Sequence, residues 1–523
     1  MNISDTDTYR SFHEIVAAQA AQSPERVYVH CIDQEKSLTY GELYGLSNRM
    51  ARFFQNAGLR ANDRVLLLAE NSVENLAVFV STLRYGATLA TVHVEMNQAH
   101  LAEIIAAISP KFVLYQDGLG LEILRDESLS DWHVLGDWSP DGASTGFFSQ
   151  IATLSESDDI PSCAGKDDHG VIFYTSGTVA KPKGVIQTHA TAFYNYDATA
   201  DYLALQPGDR VLDCRSYSWL SAQHMSLGAP LVAGATTIMA RHFSQRNYFD
   251  WLRDYEINVG FVVPTIVNML ISRPHDLTGE ILPHLRFLTS SSAPLLDDQW
   301  KQFEDLYGIT LAQSCGSSEG GNTAAHRGTD RKIGTIGPAQ KYQWVRIVDG
   351  NGDDLLQGEI GEIIIGGGKQ QAFGYLMPDG AIERLPRDGH HSGDLGFFDD
   401  DLHLHITGRV KELIIRGGVN ISPLEIDTIL IEHPGISEAG TIGVSHPIYG
   451  EEVVAYVACL PGETVHIEDI LAHCAASLPE AKRPKALYVL GELPKNPRGK
   501  LDRAALQAHY KKHFANQPAG AAR

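Results

Sequence analysis

The residues with the clearest chemical potential form a loop rich in glycine, hydroxyl groups and lysine, YTSGTVAKPKG at residues 174–184. The loop follows an apolar strand candidate and precedes a second apolar segment, VIQTH. Small residues let backbone amides and hydroxyl oxygens close around a polyphosphate, and Lys181 and Lys183 add positive charge. The spacing is not that of a Walker loop, in which Ser or Thr directly follows the lysine. The sequence therefore predicts a phosphate-binding loop, with a solvated turn as the alternative.

This loop resembles the phosphate-binding loop of the adenylate-forming superfamily, which comprises acyl-CoA synthetases, adenylation domains of peptide synthetases and luciferases. The chain departs from the family pattern at Val179 and Ala180, where a hydroxyl group and a glycine are usual. We expect these changes to weaken the triphosphate contacts without abolishing them. The loop residues that the resemblance assigns to ATP binding are Thr175, Ser176, Gly177, Thr178 and Lys183.

Two later segments are similar to the nucleotide-binding segments of the same family. SSSAPL at residues 290–295 resembles the loop beside the adenine, and SCGSSE at residues 314–319 resembles the motif that follows it. The resemblance implies that Ser318 contacts the α-phosphate and that Glu319 helps to hold Mg²⁺ against the phosphates, a task suited to carboxylate oxygens. The family's aromatic residue is replaced by Cys315, so no ring is expected there to stack on the adenine. The implied metal ligands are Glu319 and Thr178. The other implied nucleotide contacts are Ser292, Ala293, Pro294, Ser314, Cys315 and Gly316.

The motifs SGD, GRVKELI and RGGVNISPLE are similar to the family's ribose and interdomain motifs. The resemblance implies that Asp394 binds both ribose hydroxyls, because a carboxylate accepts two hydrogen bonds at once. It also implies that Arg409 reaches the ribose and phosphate, and that Lys411 is the hinge. The glycines at 417 and 418 would let the pantetheine arm of coenzyme A pass close to the backbone. The alternative for Asp394 and Arg409 is an ordinary surface ion pair.

The segment LPKNPRGKLD at residues 493–502 resembles the C-terminal loop that carries the family's adenylation lysine, here Lys500. The basic pair Lys482 and Arg483 has a family counterpart that would meet a phosphate of coenzyme A. With Gly417 and Gly418, this pair completes the predicted coenzyme A site. The ordered match runs from about residue 38 to 502, which is nearly the whole chain.

By the same resemblance, the acyl pocket is lined from residues 216–225, 290–292 and 314–322. One large ring among several hydrogen-bonding groups favours a small polar or aromatic acid over a long alkyl chain. A cationic acid such as a betaine would fit on Trp219 by cation–π attraction. The alternative is that Trp219 and His224 are core residues. The predicted pocket residues are Trp219, Gln223, His224, Gly320 and Asn322.

Helical and strand patterns alternate through most of the chain. Periodicity predicts helices over residues 40–57 and 73–85, with a strand over 64–68 between them. Further short apolar strands are predicted at residues 111–115, 170–174, 209–214 and 236–240. This alternation favours an α/β fold with largely parallel sheets.

The pattern changes towards the C-terminal end of the chain. After about residue 358, hairpin-like strand pairs predict a small β-barrel-like part, and the last segment predicts a small α+β unit. We therefore expect an N-terminal ATP- and acyl-binding domain at residues 1–410 and a mobile C-terminal lid domain at residues 411–523. No Gly/Ser linker separates them, which favours a short hinge.

The composition narrows the classes of partner. With 42 basic and 64 acidic residues the net charge is −22, which repels phosphate backbones and anionic membranes. We expect neither a nucleic-acid nor a membrane partner, and either a monomer or a homodimer. The six scattered cysteines and the absence of a signal pattern in MNISDTDTYRSFHEIV favour the cytoplasm. His390 and His391 lack a third ligand and are interpreted as solvated strand residues.

Together, the motifs imply an AMP-forming acid–CoA ligase that converts a carboxylic acid, ATP and coenzyme A into acyl-CoA, AMP and diphosphate. The expected cofactor is Mg²⁺, with ATP and coenzyme A as co-substrates. One alternative is a stand-alone adenylation enzyme that loads a carrier protein. Another is a binding or regulatory homologue without catalysis, which Val179, Ala180 and Cys315 would support. The retention of Glu319 and Lys500 argues against that second alternative.

Overall fold

The structure is a computed structural model of the 523-residue chain. It describes residues 8–126, 130–174, 183–275, 282–293, 295–366, 368–460, 462–463, 465–496 and 500–514. Within these residues, no helix is both long enough and apolar enough to cross a membrane.

The described helices and strands alternate along the first part of the chain. The helices are α1 (Phe12–Gln22), α2 (Tyr40–Asn56), α3 (Val73–Tyr85), α4 (Gln98–Ile108), α5 (Gly146–Ile151), α6 (His189–Tyr202), α7 (Leu220–Ala222), α8 (Ala229–Ala233), α9 (Tyr248–Asp254), α10 (Pro264–Ser272), α11 (Asp297–Tyr307), α12 (Pro423–Ile431), α13 (Ile467–Ser477) and α14 (Arg503–Phe514). The strands before residue 330 are β1 (Val27–Cys31), β2 (Lys36–Thr39), β3 (Arg64–Leu68), β4 (Thr88–Thr91), β5 (Phe112–Tyr115), β6 (Asp131–Val134), β7 (His169–Tyr174), β8 (Gly184–Thr188), β9 (Arg210–Asp213), β10 (Thr236–Met239), β11 (Val259–Val262), β12 (Phe287–Ser290), β13 (Leu311–Ser317) and β14 (Gly321–Ala325). The later strands are β15 (Trp344–Val348), β16 (Gly361–Gly366), β17 (Gly374–Leu376), β18 (Ile382–Arg384), β19 (His390–Phe398), β20 (Leu404–Arg409), β21 (Ile414–Arg416), β22 (Val419–Ile421), β23 (Ile436–His446), β24 (Gly450–Cys459) and β25 (Ala486–Leu490).

Two large sheets dominate the first part of the chain. The first sheet has the order β14-β13-β12-β11-β9-β10-β1-β2, and the second has the order β18-β17-β8-β7-β4-β3-β5-β6. In the first sheet, β1 and β9 to β13 run parallel, as do β3 to β7 in the second, and antiparallel strands complete the edges. This arrangement confirms the predicted α/β fold class.

Local sequence signals explain where these elements begin and end. Thr39 and Glu42 form a capping box that starts α2, because each side chain accepts a backbone N–H of the other. Gly86 ends α3 in the left-handed region at φ 99°, which glycine adopts without strain. The predicted strand 64–68 and helix 73–85 coincide with β3 and α3, and both elements are almost entirely buried.

A third sheet, with the order β15-β16-β19-β20, is wholly antiparallel. It corresponds to the small β-barrel-like part that the sequence predicted. Strands β19 and β20 form the hairpin expected from the segment LGFFDDDLHLHITGR, and β20 ends at Arg409, two residues before the predicted hinge at Lys411.

The fourth sheet lies in the C-terminal segment and has the order β22-β21-β24-β23, with β25 also paired to β24. Strand β24 is buried on both faces. Val453 and Val457 pack in a core that includes residues of α12 and α13, whereas Val454 and Tyr456 pack in a second core with residues of α14. The domain boundary between residues 410 and 411 stays a prediction.

Candidate active site

The predicted phosphate loop connects two adjacent antiparallel strands of the second sheet. Tyr174, the last residue of β7, pairs with Gly184, the first residue of β8, so the two residues that bound the predicted loop lie opposite each other. Thr175, Ser176, Gly177 and Thr178 lie outside the described residues. Lys183 is described, and its ammonium lies 5.1 Å from the centre of the Tyr375 ring. Such a contact orients the lysine by cation–π attraction.

Glu319 lies in the tight connection between β13 and β14, and its carboxylate is held from two sides. The Tyr375 hydroxyl donates to Glu319 Oε1 at 2.8 Å, and His390 Nε2 lies 3.9 Å from Oε2. Burial raises the pKa of Tyr375 well above its usual range, so the phenol stays a donor. Burial also lowers the pKa of His390, which favours the neutral ring. The result is an oriented carboxylate that shares Tyr375 as a neighbour with Lys183.

This carboxylate fits the predicted Mg²⁺. Among the described residues, no group of three or more His, Cys, Asp or Glu side chains could hold a metal ion. A cation at Glu319 would therefore complete its shell with water and with the substrate's phosphate oxygens, which is how Mg²⁺ commonly binds with nucleotides. Ser318, the predicted α-phosphate contact, precedes Glu319 in the same connection.

Asp394 and Arg409 face each other on the neighbouring strands β19 and β20. The Arg409 Nε lies 2.9 Å from Asp394 Oδ1, so the ion pair considered from the sequence is present. Ser392 accepts the backbone N–H of Asp394 at 3.0 Å and fixes the turn of the strand. Burial raises the pKa of Asp394, and the charges of Arg409 and Lys500 oppose this shift.

Lys500 reaches the same place from the C-terminal segment. Its backbone N–H donates to Asn496 Oδ1 at 3.1 Å, and the Asn496 N–H donates back to the Lys500 carbonyl at 2.8 Å. Burial raises the pKa of the Cys315 thiol to about 12, and Asp394 adds to that shift while Lys500 opposes it. The structure thus brings together four predicted residues that are far apart in sequence, Cys315, Asp394, Arg409 and Lys500.

The predicted adenine loop follows β12 and contains one residue in an uncommon conformation. Ser292 is exposed and has a φ of 74°, in the left-handed region that few non-glycine residues adopt. Ala293 follows it, and Pro294 lies outside the described residues. The Ser314 hydroxyl is buried without a hydrogen-bond partner in the described structure, which is unusual for a buried polar group. Gly316 leaves no room for a Cβ atom, which would lie 2.7 Å from the Gly321 carbonyl oxygen.

The predicted acyl-pocket residues divide into a partly exposed ring and buried polar groups. Trp219 is half-buried, with its ring centre 6.2 Å from that of His93. Gln223 is buried, and its amide donates to Thr91 Oγ1 at 2.9 Å and to the Tyr217 carbonyl at 2.8 Å. Burial lowers the pKa of His224 to about 3. Both residues begin a π-helical turn, Gln223–Gly228, a distortion that recurs at functional sites.

Asn322 and Gly320 have contacts that favour structural roles for both. The Asn322 amide donates to the Asn195 carbonyl at 3.1 Å and to Thr199 Oγ1 at 2.8 Å. A Cβ on Gly320 would lie 2.7 Å from a methyl carbon of Ile365. Their predicted place in the acyl pocket stays a prediction.

The predicted hinge and coenzyme A residues are all in the C-terminal segment. Lys411 is exposed in a short 3₁₀ turn, Val410–Glu412. Gly417 and Gly418 form the turn between β21 and β22 with φ values of 57° and 85°, and this pair of positive φ angles suits a tight hairpin. A Cβ on Gly418 would meet nothing within 4 Å. An extended ligand arm could therefore approach the backbone there.

The basic pair before Pro484 is engaged within the C-terminal segment. Lys482 Nζ lies 2.7 Å from Glu425 Oε1. The Arg483 guanidinium donates to the carbonyls of Leu478 and Ala475, both at 2.8 Å, and so caps the end of α13. These contacts give both residues structural roles, and a contact with coenzyme A stays a prediction.

Sequence reasoning missed Tyr375 and misjudged the surroundings of His390. Both were brought to Glu319 by strand pairings between distant segments, β17 with β8 and β19 with β16. His390 is half-buried beside Glu319 and is not the solvated strand residue that was predicted. A lone tyrosine after a glycine carries no local signal for this position.

The comparisons with known proteins agree with this geometry. Residues 16–376 match the family described as AMP-binding enzyme, and residues 425–500 match the AMP-binding enzyme C-terminal domain. The chain belongs to this family of AMP-binding enzymes, the adenylate-forming superfamily. Its enzyme class is that of the AMP-forming acyl-CoA synthetases.

Individual relatives match over nearly their whole length. The chain is 31% identical to a sulfoacetate–CoA ligase of Cupriavidus necator over 513 residues, covering 97% of this chain and 99% of the relative. It is 28% identical to an oxalate–CoA ligase of Arabidopsis thaliana, covering 97% of this chain and 99% of the relative. The crystal structure of ATP-bound MatB from Rhodopseudomonas palustris superposes with a TM-score of 0.85 at 28% identity, covering 96% of this chain and 99% of MatB.

Proposed function

We propose that the protein activates a small, polar carboxylic acid as its acyl-adenylate and transfers the acyl group to coenzyme A, releasing AMP and diphosphate. The observation that carries this proposal is that Lys500, from the C-terminal segment, acts electrostatically on Asp394 and Cys315, two of the predicted nucleotide residues. The sulfoacetate and oxalate ligases among the relatives act on short acids without an alkyl chain, which supports the small, polar class. Because the pocket residues also fit an aromatic acid, aryl acids are included in the experiment below.

In the first half-reaction, a carboxylate oxygen of the acid attacks the α-phosphorus of ATP. The new O–P bond replaces the bond to the β-phosphate oxygen, and diphosphate leaves. Negative charge gathers on the phosphate and acyl oxygens, so preorganised cations lower the barrier. Lys500 supplies one such charge between the acid and the α-phosphate, and Lys183 supplies another at the phosphate loop.

Other side chains hold the nucleotide. Asp394 accepts the ribose hydroxyls, and Arg409 moves from the carboxylate toward the phosphate. Glu319 and the loop hydroxyl of Thr178 would hold Mg²⁺, which would supply positive charge against the phosphates when bound. Tyr375 and His390 keep the Glu319 carboxylate oriented for that role.

In the second half-reaction, the coenzyme A thiolate attacks the acyl carbonyl, and AMP leaves with the electron pair of the broken C–O bond. We infer that residues 411–523 rotate about Lys411 between the two steps. This motion would withdraw Lys500 and bring the open turn at Gly417 and Gly418 to the pantetheine arm. Movements of loops or domains that gate catalysis in this way are common in enzymes.

The experiment is pyrophosphate release with ATP and Mg²⁺, with and without coenzyme A, across short, aryl, dicarboxylic, sulfonic and betaine acids. Release that depends on one class of acid, with acyl-CoA as the product, supports the proposal. Release that stops at the adenylate unless a carrier protein is supplied would favour the carrier-loading alternative. No pyrophosphate release with any acid of the panel would favour the alternative of a binding or regulatory homologue without catalysis.

A further inference from the structure

A buried arginine follows strand β9 at the carboxyl edge of the first sheet. The whole Arg215 residue is only 4% exposed. Its Nε donates to Asp213 Oδ1 at 2.9 Å and its Nη2 to Asp213 Oδ2 at 2.7 Å, so one edge of the guanidinium is bound side-on by the carboxylate. The central carbon of the guanidinium, Cζ, also lies 5.2 Å from the centre of the Phe261 ring. The position of the cation is therefore fixed.

The other edge of this guanidinium faces two serine hydroxyls. Arg215 Nη1 lies 3.2 Å from Ser221 Oγ and 3.4 Å from Ser291 Oγ. Hydrogen bonds from a charged donor are usually about 2.7–2.9 Å long, so these contacts are weak. Within the described part of the chain, neither serine hydroxyl donates to an acceptor. Nη1 and two hydroxyl hydrogens thus form a group of under-used donors.

The backbone around Arg215 is held rigidly. The Asn71 amide donates to the Arg215 carbonyl at 2.7 Å, and the Asn71 carbonyl oxygen accepts the N–H of Tyr217 at 3.0 Å. The Ser226 hydroxyl donates to Asp213 Oδ2 at 2.5 Å. A donor group that is locked in this way loses little entropy when it binds a ligand.

The location points to a ligand. In parallel α/β sheets, ligands bind beyond the carboxyl ends of the strands. Arg215 comes two residues after the end of β9, and Ser291 comes directly after β12 in the same sheet. Ser221 and Ser291 also fall within the segments that the family resemblance assigns to the acyl pocket.

We propose that Arg215, through Nη1 and the hydroxyls of Ser221 and Ser291, recognises a second oxyanion at the distal end of the acid substrate. The ligand class is a short acid that carries another carboxylate or a sulfonate. This inference rests on the proposed function, because it takes the first carboxylate to be the group that is adenylated. A chain with a net charge of −22 needs a local cation to hold such a dianion.

A purely structural ion pair would not need this arrangement. Asp213 uses only the Nε and Nη2 edge of the guanidinium, and the Nη1 edge could equally have packed against apolar side chains. A neutral alkyl group in the same place would leave the two serine hydroxyl hydrogens without acceptors and Nη1 with only its two long contacts. Sites built to hydrogen-bond a substrate group reject analogues that lack it by large factors, so we expect a preference on the order of 10²-fold.

The test compares acids of matched shape in pyrophosphate release. Malonate is paired with isovalerate, and sulfoacetate with 3,3-dimethylbutyrate, so that only the distal charge and its oxygens differ. The expected result is a kcat/KM about 10²-fold higher for each dianion than for its neutral partner. Equal values would overturn the inference, and turnover of neutral acids alone would do so while leaving the proposed function intact. No turnover with any acid would overturn both.

Substitutions then test which side chains cause the preference for dianionic acids. Ser291→Ala and Ser221→Ala are each expected to lower the ratio of dianion to neutral kcat/KM by about 10-fold. The double variant Asp213→Asn/Arg215→Met, which leaves no unpaired charge, is expected to abolish the ratio. Ser226→Ala is the matched control, because Ser226 touches Asp213 but not Nη1, and the ratio should persist. A ratio unchanged in Ser291→Ala, or lost equally in Ser226→Ala, would contradict a role for Nη1. The wild-type ratio needs no variant, so the test survives if the double variant does not fold.

Discussion

The structure contains two aspartate–arginine pairs that the proposals above assign to opposite ends of the active site, and the pairs differ in burial and in hydrogen bonding. The Asp213–Arg215 side chains are 0% and 3% exposed and share two hydrogen bonds. The Asp394–Arg409 side chains are 21% and 59% exposed and share one contact of 2.9 Å. A buried pair is fixed because separating it would strand a charge, whereas an exposed pair exchanges readily with water. On the proposed assignment, the acyl end is therefore held rigidly, whereas the pair at the nucleotide end can exchange its partners for a ligand.

The largest effect is expected from breaking the buried pair. Arg215→Met should lower the free energy of unfolding by about 3–5 kcal/mol, because the charge of Asp213 would stay buried without its cationic partner. Arg409→Met, at the exposed pair, should cost about 0–1 kcal/mol. Urea denaturation of both variants measures the difference. Adding Asp213→Asn to Arg215→Met should recover much of the loss, and similar losses in the two single variants would remove the distinction between the pairs.

The next prediction concerns Lys500, the cation that is proposed to stabilise the transition state of adenylation. Lys500→Ala should slow pyrophosphate release by about 10²–10³-fold, the usual loss when a charge-stabilising group is removed from a transition state. Thioester formation from a supplied acyl-adenylate should be largely retained. Lys495→Ala is the control, because Lys495 lies on the same loop but pairs with Glu438 at 2.6 Å. Equal loss of both half-reactions would contradict the proposed rotation.

A smaller effect is expected at Glu319, the proposed ligand of Mg²⁺. Tyr375→Phe keeps the ring beside Lys183 but removes the hydroxyl that orients Glu319. The Mg²⁺ concentration for half-maximal pyrophosphate release should rise by about 10–100-fold, as it does when outer partners of metal ligands are lost. Activity should recover at saturating Mg²⁺. A lower kcat with an unchanged Mg²⁺ requirement would argue that the hydroxyl acts only in folding.

The last prediction concerns the acid sensitivity of folding that buried His224 confers, which is small per pH unit and accumulates over several units. Burial lowers the pKa of His224 to about 3, so the folded state favours the neutral ring. The stability that this provides is complete above the unfolded pKa of about 6.5 and is lost as the pH falls from there toward 3, by about 1.4 kcal/mol per pH unit. His224→Gln should make the acid-side decline of unfolding free energy shallower by that amount. An unchanged slope between pH 6.5 and 4.5 would show that His224 does not contribute.

Sequence patterns predicted features that depend on near neighbours. The periodicity of β3 and α3 located both elements correctly, because burial of a local face specifies them. The order of the motifs was sufficient to identify the family and to select Asp394, Arg409 and Lys500. These three residues do come close together in the fold.

Features that depend on distant pairings were not predictable. Arg215 and Ser291 are 76 residues apart, and Tyr375 and Glu319 are 56 apart, so no local window contains either contact. A buried arginine also looks like a surface charge in sequence until its carboxylate partner is known. The same limit applies to the ion pair of Lys482 with Glu425, which are 57 residues apart, whereas the contact of Lys482 with coenzyme A stays a prediction.

The two-sided burial of β24 has a consequence for how this enzyme could be redesigned. Because the helices of the C-terminal segment cover both faces of its own sheet, its apolar surface stays covered when the segment is moved as a block. A graft that joins a relative's lid at residue 411 would therefore cut a short exposed turn rather than a core. Lys500 travels with that block, clamped by Asn496. On the proposed domain assignment, we therefore expect that the C-terminal segment can be replaced as a unit by that of a relative, without disturbing the proposed acid-binding residues.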